Sequence, residues 1–143
     1  MKKISVLTPA YNAEAYIGET IESILGQTFA DFEYIIFDDC STDGTWEIII
    51  RYAEKDSRIV PVQGEKNLGF AGAYGRLASL ATGEYVAWQS ADDISMPYRL
   101  EHQLRFMENN PDVGVCGGYI LLFDREKEIG VRNILSTMRV SGK

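Results

Sequence analysis

Short, β-rich apolar runs alternate with segments of helical periodicity along most of this chain. A near-continuous apolar run of this kind is typical of a strand buried on both faces of a parallel sheet. The segments between the runs carry apolar residues at helical spacing, as Ile17, Ile21 and Ile24 do. The predicted strands are residues 4–8, 33–37, 59–62, 84–88 and 113–123. This alternation predicts an α/β fold in three layers, with helices on both faces of a mostly parallel sheet.

Residues that favour helix starts precede each helical segment. Asn12 is the predicted cap of the first helix, residues 41–43 cap the second, and Pro97 suits the first turn of the fourth. The third helix is predicted from about Phe70. Its predicted inner face consists of Phe70, Ala73, Tyr74, Leu77, Ala78 and Ala81. Gly69, Gly72 and Gly75 do not form a dinucleotide fingerprint, and close helix packing is their expected role.

The bulk composition is that of one globular domain. A length of 143 residues allows a real core, so we expect a single domain over residues 1–143. The formal net charge of -7 argues against nucleic acid or an anionic membrane as the main partner. No apolar run approaches the roughly 20 residues of a membrane helix, and no leader precedes the first strand. We therefore expect a cytoplasmic protein, with a peripheral position at the inner face of the membrane, a membrane partner or a missing C-terminal anchor as the alternatives. Its two cysteines, Cys40 and Cys116, are expected to be free thiols.

Two acidic pairs follow two of the predicted strands. Asp38-Asp39 ends the second strand, and Asp92-Asp93 lies four residues beyond the fourth. Adjacent carboxylates repel, so a cation or donor groups of a ligand would stabilise them. Ligands of open α/β sheets bind at the carboxyl ends of the strands. The pairs therefore predict a metal-assisted nucleotide or phosphate site, while helix capping and a solvated turn are the structural alternatives.

The turn that leaves the first strand is a further candidate. Residues 8–12 read Thr8-Pro9-Ala10-Tyr11-Asn12. Backbone N–H groups at the start of a helix attract acceptors, and the Tyr11 ring offers a flat face to a ligand ring. An ordinary strand-to-helix turn with Tyr11 packed on the core is the alternative.

Taken in order, these segments resemble the family 2 glycosyltransferases of GT-A fold. The resemblance runs from about Ile4 to Cys116 with its motifs in register. The segments that carry it are residues 5–12, residues 23–28 with Asp31-Phe32-Glu33, residues 38–45, Asn67-x-Gly69, Gly83-Glu84-Tyr85 and Ala91-Asp92-Asp93. The resemblance implies a Rossmann-like GT-A fold and inverting hexosyl transfer from a nucleotide-sugar, typically UDP-linked, in cell-surface polysaccharide synthesis. The acceptor would be a glycan, a lipid-linked sugar or a protein.

The resemblance also implies roles for individual residues. Thr8 and Tyr11 would flank the base, with Tyr11 stacked on it, and Asp39 would accept its ring N–H. Pro9, Ala10 and Asn67 belong to the same donor-binding set. Asp92 would lie near the ribose, and Asp93 would bind Mn²⁺ or Mg²⁺ as part of a DXD-type motif.

This chain also departs from the family pattern. Ser90 stands where many members have another acid, Cys40 replaces a common glycine, and Tyr74-Gly75 occupies a place where Arg-Asn is frequent. A helper contact to the donor would then be absent or come from Arg76. Residues 124–128 are typical of a turn and residues 129–143 are ambiguous, so we expect a chain truncated before the acceptor half. Asp124 and Glu126 are not convincing catalytic bases.

Two other classes of function stay open. The first is a non-catalytic nucleotide-binding or interaction module that retains the fold. Independently of this choice, a homodimer is an expected way to cover apolar surface that the truncated chain leaves exposed. The second, a Rossmann oxidoreductase or a phosphoacceptor domain, lacks the glycine fingerprint or the expected lone aspartate and late lysine.

Overall fold

The computed structural model describes residues 2–124 and 127–139, and this part of the chain forms one sheet with four helices. The strands are β1 Ile4–Ala10, β2 Phe32–Asp38, β3 Ile59–Gln63, β4 Tyr85–Trp88, β5 Val115–Asp124 and β6 Lys127–Arg139. The helices are α1 Ile17–Leu25, α2 Thr45–Ala53, α3 Gly69–Leu80 and α4 Arg99–Asn109.

The sheet is mostly parallel, as predicted. Its strand order is β3-β2-β1-β4-β6-β5, and β1 pairs in parallel with both β2 and β4. Because β1, β2 and β4 run parallel, their carboxyl ends lie at the same edge of the sheet. The strand order reverses at β1, and ligands of open α/β sheets bind at such a point. The region that the sequence left ambiguous contains β6, which runs antiparallel between β4 and β5. Its pairing with β4 joins residues far apart in the chain, which local periodicity cannot show. Glu126 lies outside the described residues.

The helices cover both faces of the sheet, which confirms the three layers. The larger core packs α1, α2 and α4 against one face, around Ile21, Tyr34 and Met107. The smaller core packs α3 on the other face, where Leu77 meets residues such as Phe37. Successive strand residues point to opposite faces, so the near-continuous apolar runs supply both cores at once.

The starts of two helices differ from the sequence predictions. Asn12 is not a cap, because α1 begins only at Ile17 and Tyr16 occupies its cap position. Asn12 instead adopts a φ of 49° and accepts the N–H of Thr42 through its side-chain oxygen at 2.8 Å. Gly44 is the cap residue of α2, although Asp43 does accept the Thr45 N–H at 3.1 Å. Asn12 therefore connects two loops through a hydrogen bond and does not start a helix.

The inner face of α3 is narrower than its periodicity predicts. Only Ala73 and Leu77 of the helix are buried, and Phe70 is 77% exposed. The expected close packing is wrong at two of its three glycines. A Cβ at Gly72 would lie 2.7 Å from the Leu68 Cβ, but a Cβ at Gly69 or Gly75 would meet open space, and Gly69 has a φ of 70°. The positive φ lets the chain turn into the helix, which explains a glycine at that position. Within the described residues, no helix has the length and apolar character needed to cross a membrane.

Candidate active site

A cleft of about 450 Å³ opens at the carboxyl ends of β1, β2 and β4. Its wall comes from the end of β1 with the turn after it, the residue that follows β2, the first two turns of α3 with the loop before them, and the loop after β4. The residues that line it are Pro9, Ala10, Tyr11, Asp39, Asn67, Gly69, Phe70, Ala73, Tyr74, Ser90, Ala91 and Asp92. Of the eight residues predicted for the site, the lining includes Pro9, Ala10, Tyr11, Asp39, Asn67 and Asp92. Thr8 and Asp93 are not part of it.

The turn after β1 presents Tyr11 at the cleft. Its ring is 52% exposed, so it is not packed on the core. The turn is held by the β2–α2 loop, because Ser41 Oγ accepts the Asn12 N–H at 2.9 Å and Thr45 Oγ1 accepts the Ala13 N–H at 2.8 Å. Two loops that bind each other in this way place Tyr11 with little freedom in the backbone.

Thr8 lies beneath this turn rather than in the cleft. It is fully buried, and its hydroxyl lies 3.1 Å from the Tyr34 hydroxyl. Burial raises the pKa of Tyr34 above its ordinary value, so the phenol stays protonated and available for this hydrogen bond. The geometry gives Thr8 a structural contact under the turn that carries Tyr11.

The two carboxylates of the Asp38-Asp39 pair have different surroundings. Asp39 faces the cleft and is only 3% exposed. Its Oδ1 accepts the Leu68 N–H at 2.7 Å, and its Oδ2 accepts the Gly69 N–H at 2.9 Å. Asp39 therefore anchors the first turn of α3, where the helix dipole also favours a negative charge. Each carboxylate oxygen retains a second lone pair that a ligand N–H could use.

Asp38 does not take part in the cleft. It is completely buried, and neither of its carboxylate oxygens has a hydrogen-bond partner among the described residues. Asp39 lines the cleft whereas Asp38 is enclosed in the protein, so the two carboxylates do not act together on one cation. The sequence argument from this pair therefore applies to Asp39 alone.

The second acidic pair lies on a loop, residues 90–93, that a buried polar network supports. Arg99 Nη1 donates to Gln89 Oε1 at 2.7 Å and to Ser95 Oγ at 2.9 Å. Gln89 in turn donates through Nε2 to the Asp93 carbonyl oxygen at 2.7 Å. Burial lowers the pKa of Arg99, while the charge of Asp93 acts in the opposite direction. These hydrogen bonds fix the backbone of the acidic loop.

The side chains of Asp92 and Asp93 are exposed, and they are the candidate ligands for a divalent ion. Carboxylate oxygens are the ligands that Mg²⁺ and Mn²⁺ prefer. Within the described part of the chain, no cluster of three or more His, Cys, Asp or Glu side chains could hold a metal by itself. The pair fits an ion that completes its coordination with water and the phosphates of a ligand.

Two aromatic residues of the cleft were not predicted as site residues. Phe70 and Tyr74 were assigned to the inner face of their helix, but both line the cleft. Their ring centroids are 4.3 Å apart, and the Tyr74 ring is also 4.3 Å from that of Trp88. The departure from Arg-Asn at residues 74–75 was the available signal. Arg76 does not replace the missing cation there, because it lines a separate hollow with Lys66.

Comparison with known proteins agrees with this geometry. The family model described as Glycosyl transferase family 2 matches residues 5–139 of the chain. An Escherichia coli relative, UDP-Glc:alpha-D-GlcNAc-diphosphoundecaprenol beta-1,3-glucosyltransferase WfaP, is 40% identical over 137 residues, which cover 96% of this chain and 52% of the relative. The chain spans about half the length of the curated relatives it matches.

Two solved structures have the same arrangement of strands and helices. S. aureus TarS 1-349 in complex with UDP is 32% identical with a TM-score of 0.71, over 83% of this chain and 34% of that chain. The mannosyltransferase PcManGT from Pyrobaculum calidifontis, in complex with GDP-Man and Mn²⁺, is 29% identical with a TM-score of 0.73. That match covers 80% of this chain and 34% of the mannosyltransferase chain.

Proposed function

This chain belongs to glycosyl transferase family 2, and from that premise we propose that its cleft binds the nucleoside diphosphate of a sugar donor. One observation carries the proposal: the cleft brings the exposed ring of Tyr11 together with the carboxylates of Asp39 and Asp92 at the carboxyl edge of the sheet. We take residues 1–143 to form one donor-binding domain. The UDP complex of the neighbour TarS makes UDP the first nucleotide to test.

The predicted residues on this side of the site each have a role in this proposal. Tyr11 stacks on the base, and Asp39 accepts its ring N–H through the lone pairs that Leu68 and Gly69 leave free. Pro9, Ala10 and Asn67 complete the wall around the base. Asp92 binds the ribose hydroxyls. Thr8 contributes indirectly, by supporting the turn that carries Tyr11.

The acidic loop is the proposed metal site. Asp93 would hold Mn²⁺ or Mg²⁺, which supplies Lewis-acid stabilisation of the charge that develops on the departing nucleoside diphosphate. The Mn²⁺ complex of PcManGT supports the choice of metal. The buried network of Gln89, Ser95 and Arg99 keeps the loop backbone in place while the exposed carboxylates bind.

The reaction we propose is transfer of the sugar to an acceptor hydroxyl with inversion at the anomeric carbon. The relative WfaP is named for a lipid-linked acceptor, so a diphosphoundecaprenol-linked sugar is the first acceptor to test. Such an acceptor would bring the protein to the inner face of the membrane from the cytoplasm. We assign no catalytic base to the described residues.

Calorimetric titration of UDP into the chain tests the proposal. We expect binding in Mn²⁺ and clearly weaker binding in EDTA. The Asp93→Ala variant should bind UDP equally in both conditions, because the metal ligand is gone. Asp112→Ala, which removes an exposed carboxylate after α4, is the matched control and should behave as the parent. If a folded sample shows no heat of binding with either UDP or GDP, the proposed nucleotide site is wrong.

A nucleotide-binding module without turnover is the second candidate, because the cleft supplies residues for a nucleotide and we assign no catalytic base to the described residues. Release of UDP from UDP-Glc in the presence of the lipid-linked acceptor would support the transferase. Binding without such release would favour the module.

Self-association is a further part of the proposal. β5 is the last strand in the sheet order, and Tyr119 and Leu121 of this strand are exposed. An apolar edge strand is a common contact between copies of a chain. Light scattering should show a mass that rises with concentration, and Tyr119→Lys should lower it. A monomeric mass at high concentration would contradict the homodimer.

A further inference from the structure

An aromatic ladder runs along one side of the cleft. It begins at Phe70, passes through Tyr74 one helical turn later, and ends at Trp88 at the end of β4, with both ring-to-ring distances 4.3 Å. Phe70 is 77% exposed in the described structure. A large apolar ring left in solvent at the mouth of a groove is a feature of ligand-binding surfaces. The contact with Tyr74 holds this ring in place without burying it.

The ladder connects the two acidic ends of the cleft. Phe70 directly follows Gly69, whose N–H is bound by Asp39, so its ring lies at the Asp39 end. Trp88 precedes the acidic loop by two residues, and its ring is 4.3 Å from that of Tyr74. Tyr74 therefore lies toward the acidic-loop end. Tyr11 contributes a ring to the same cleft from a different element, the turn after β1.

The cleft offers aromatic surface in place of positive charge. Its charged lining residues are the two acids Asp39 and Asp92, and no Lys, Arg or His occurs among the described residues that line it. Lys66 and Arg76 lie in a hollow of their own. A diphosphate therefore finds no cationic side chain in this lining, whereas a base finds three rings. The cleft therefore offers its favourable contacts to the nucleoside part of a nucleotide and not to the diphosphate.

We infer that Phe70 and Tyr74 form a second aromatic wall, and that with Tyr11 they make the nucleoside the main source of donor affinity in this cleft. The inference rests on the proposed function, since it concerns how the same site holds its nucleotide. Base–aromatic stacking tolerates different bases because every base has a π-face. Stacking then supplies most of the affinity for the base, and the hydrogen bond from the ring N–H to Asp39 selects among bases.

The test compares uridine with UDP in EDTA, by calorimetry on the full chain. We expect uridine to bind with an affinity similar to that of UDP under these metal-free conditions. Phe70→Ala should weaken uridine binding by about 5- to 150-fold, the range for loss of one base–aromatic stack. Phe106→Ala removes an exposed phenylalanine on α4, outside the cleft, and should leave the affinity unchanged. Because Phe70 is exposed, its loss should not prevent folding.

A second readout uses the ladder itself. The chain has two tryptophans, so Trp46→Phe leaves Trp88 as the reporter. Uridine should change its emission, and Tyr74→Ala should remove that change and weaken binding, whereas Tyr74→Phe should retain both. If Phe70→Ala and Tyr74→Ala bind uridine as the parent does, or if only metal-bound UDP binds, the second wall is refuted while the proposed function stands. If uridine, UDP and GDP all fail to bind with and without metal, both are wrong.

Discussion

Asp39 is predicted to stabilise the fold as well as to bind a ligand, and the two contributions can be separated. Its buried carboxylate accepts the N–H groups of Leu68 and Gly69 at 2.7 and 2.9 Å. A hydrogen bond to a charged group contributes about 1.5–3 kcal/mol. Asp39→Ala removes both bonds and should lower the free energy of unfolding by about 3–5 kcal/mol.

Asp39→Asn should cost less than the alanine variant. The amide oxygen keeps one backbone N–H, but its NH₂ group faces the other, so we expect a loss of about 2 kcal/mol. In a chain of this size, each kcal/mol lowers the melting temperature by about 3 °C. Urea and thermal unfolding followed by circular dichroism measure both variants. Hydrogen exchange of the Leu68 and Gly69 amides shows whether the loss lies at the start of α3.

The matched control is Asp92→Asn, which changes an exposed carboxylate of the same cleft. It should weaken nucleotide binding and leave the melting temperature at that of the parent. If both Asp39 variants melt with the parent, and the two amides keep their protection, then Asp39 does not anchor α3 and the reasoning is wrong.

Three further predictions concern the stability of the fold around the site. A Cβ at Gly83 would lie 2.5 Å from Ser5 N, so Gly83→Ala should cost about 3 kcal/mol in urea unfolding; Gly75→Ala, with open space in α3, should instead gain about 0.5–1 kcal/mol. Equal effects of the two alanines would refute the steric argument. Burial raises the pKa of Glu33, but hydrogen bonds from Ser5 and the residues before β4 outweigh it and hold the pKa below 4.5. The carboxylate therefore stabilises the fold above that pH and loses the effect as the pH falls through its folded pKa. Glu33→Gln should be destabilising at pH 7 and approach the parent in acid, and a pH-independent difference would contradict this linkage. Cys40 has a φ of 64°, so Cys40→Gly should raise the free energy of unfolding by about 1 kcal/mol, and a loss of stability would show that the backbone is unstrained.

The fold was predictable where the signal is local. The apolar run of β1 and the periodicity of Ile17, Ile21 and Ile24 specify their elements directly, and the alternation of such segments specifies a mostly parallel sheet. β6 was not predictable in this way, because its place between β4 and β5 depends on pairing with β4, whose residues lie far away in the chain. Asn12 suits a helix cap, a loop contact or a positive φ equally well, and only the neighbouring loop decides among them.

The sequence could predict those residues of the candidate site that follow adjacent strands of the sheet. Tyr11, Asp39 and Asp92 lie in one cleft because β1, β2 and β4 are adjacent and parallel. Phe70 was assigned to the core because helical spacing identifies a stripe on α3 but not its width, and the covering sheet reaches only Ala73 and Leu77. Whether an apolar residue at the margin of such a stripe is buried depends on the partner surface, which the local sequence does not contain.

The position of α3 links the two halves of the proposed binding mechanism. Asp39 fixes the first turn of this helix, and the same turn carries Phe70, so the ring keeps its place in the cleft only while the carboxylate holds the Leu68 and Gly69 amides. Loss of Asp39 would therefore remove an acceptor for the base and displace the aromatic wall at the same time. Contributions of residues coupled in this way are not additive. The effect of Asp39 on nucleotide affinity consequently includes part of the effect of Phe70, and neither residue can be assigned its share from a single substitution.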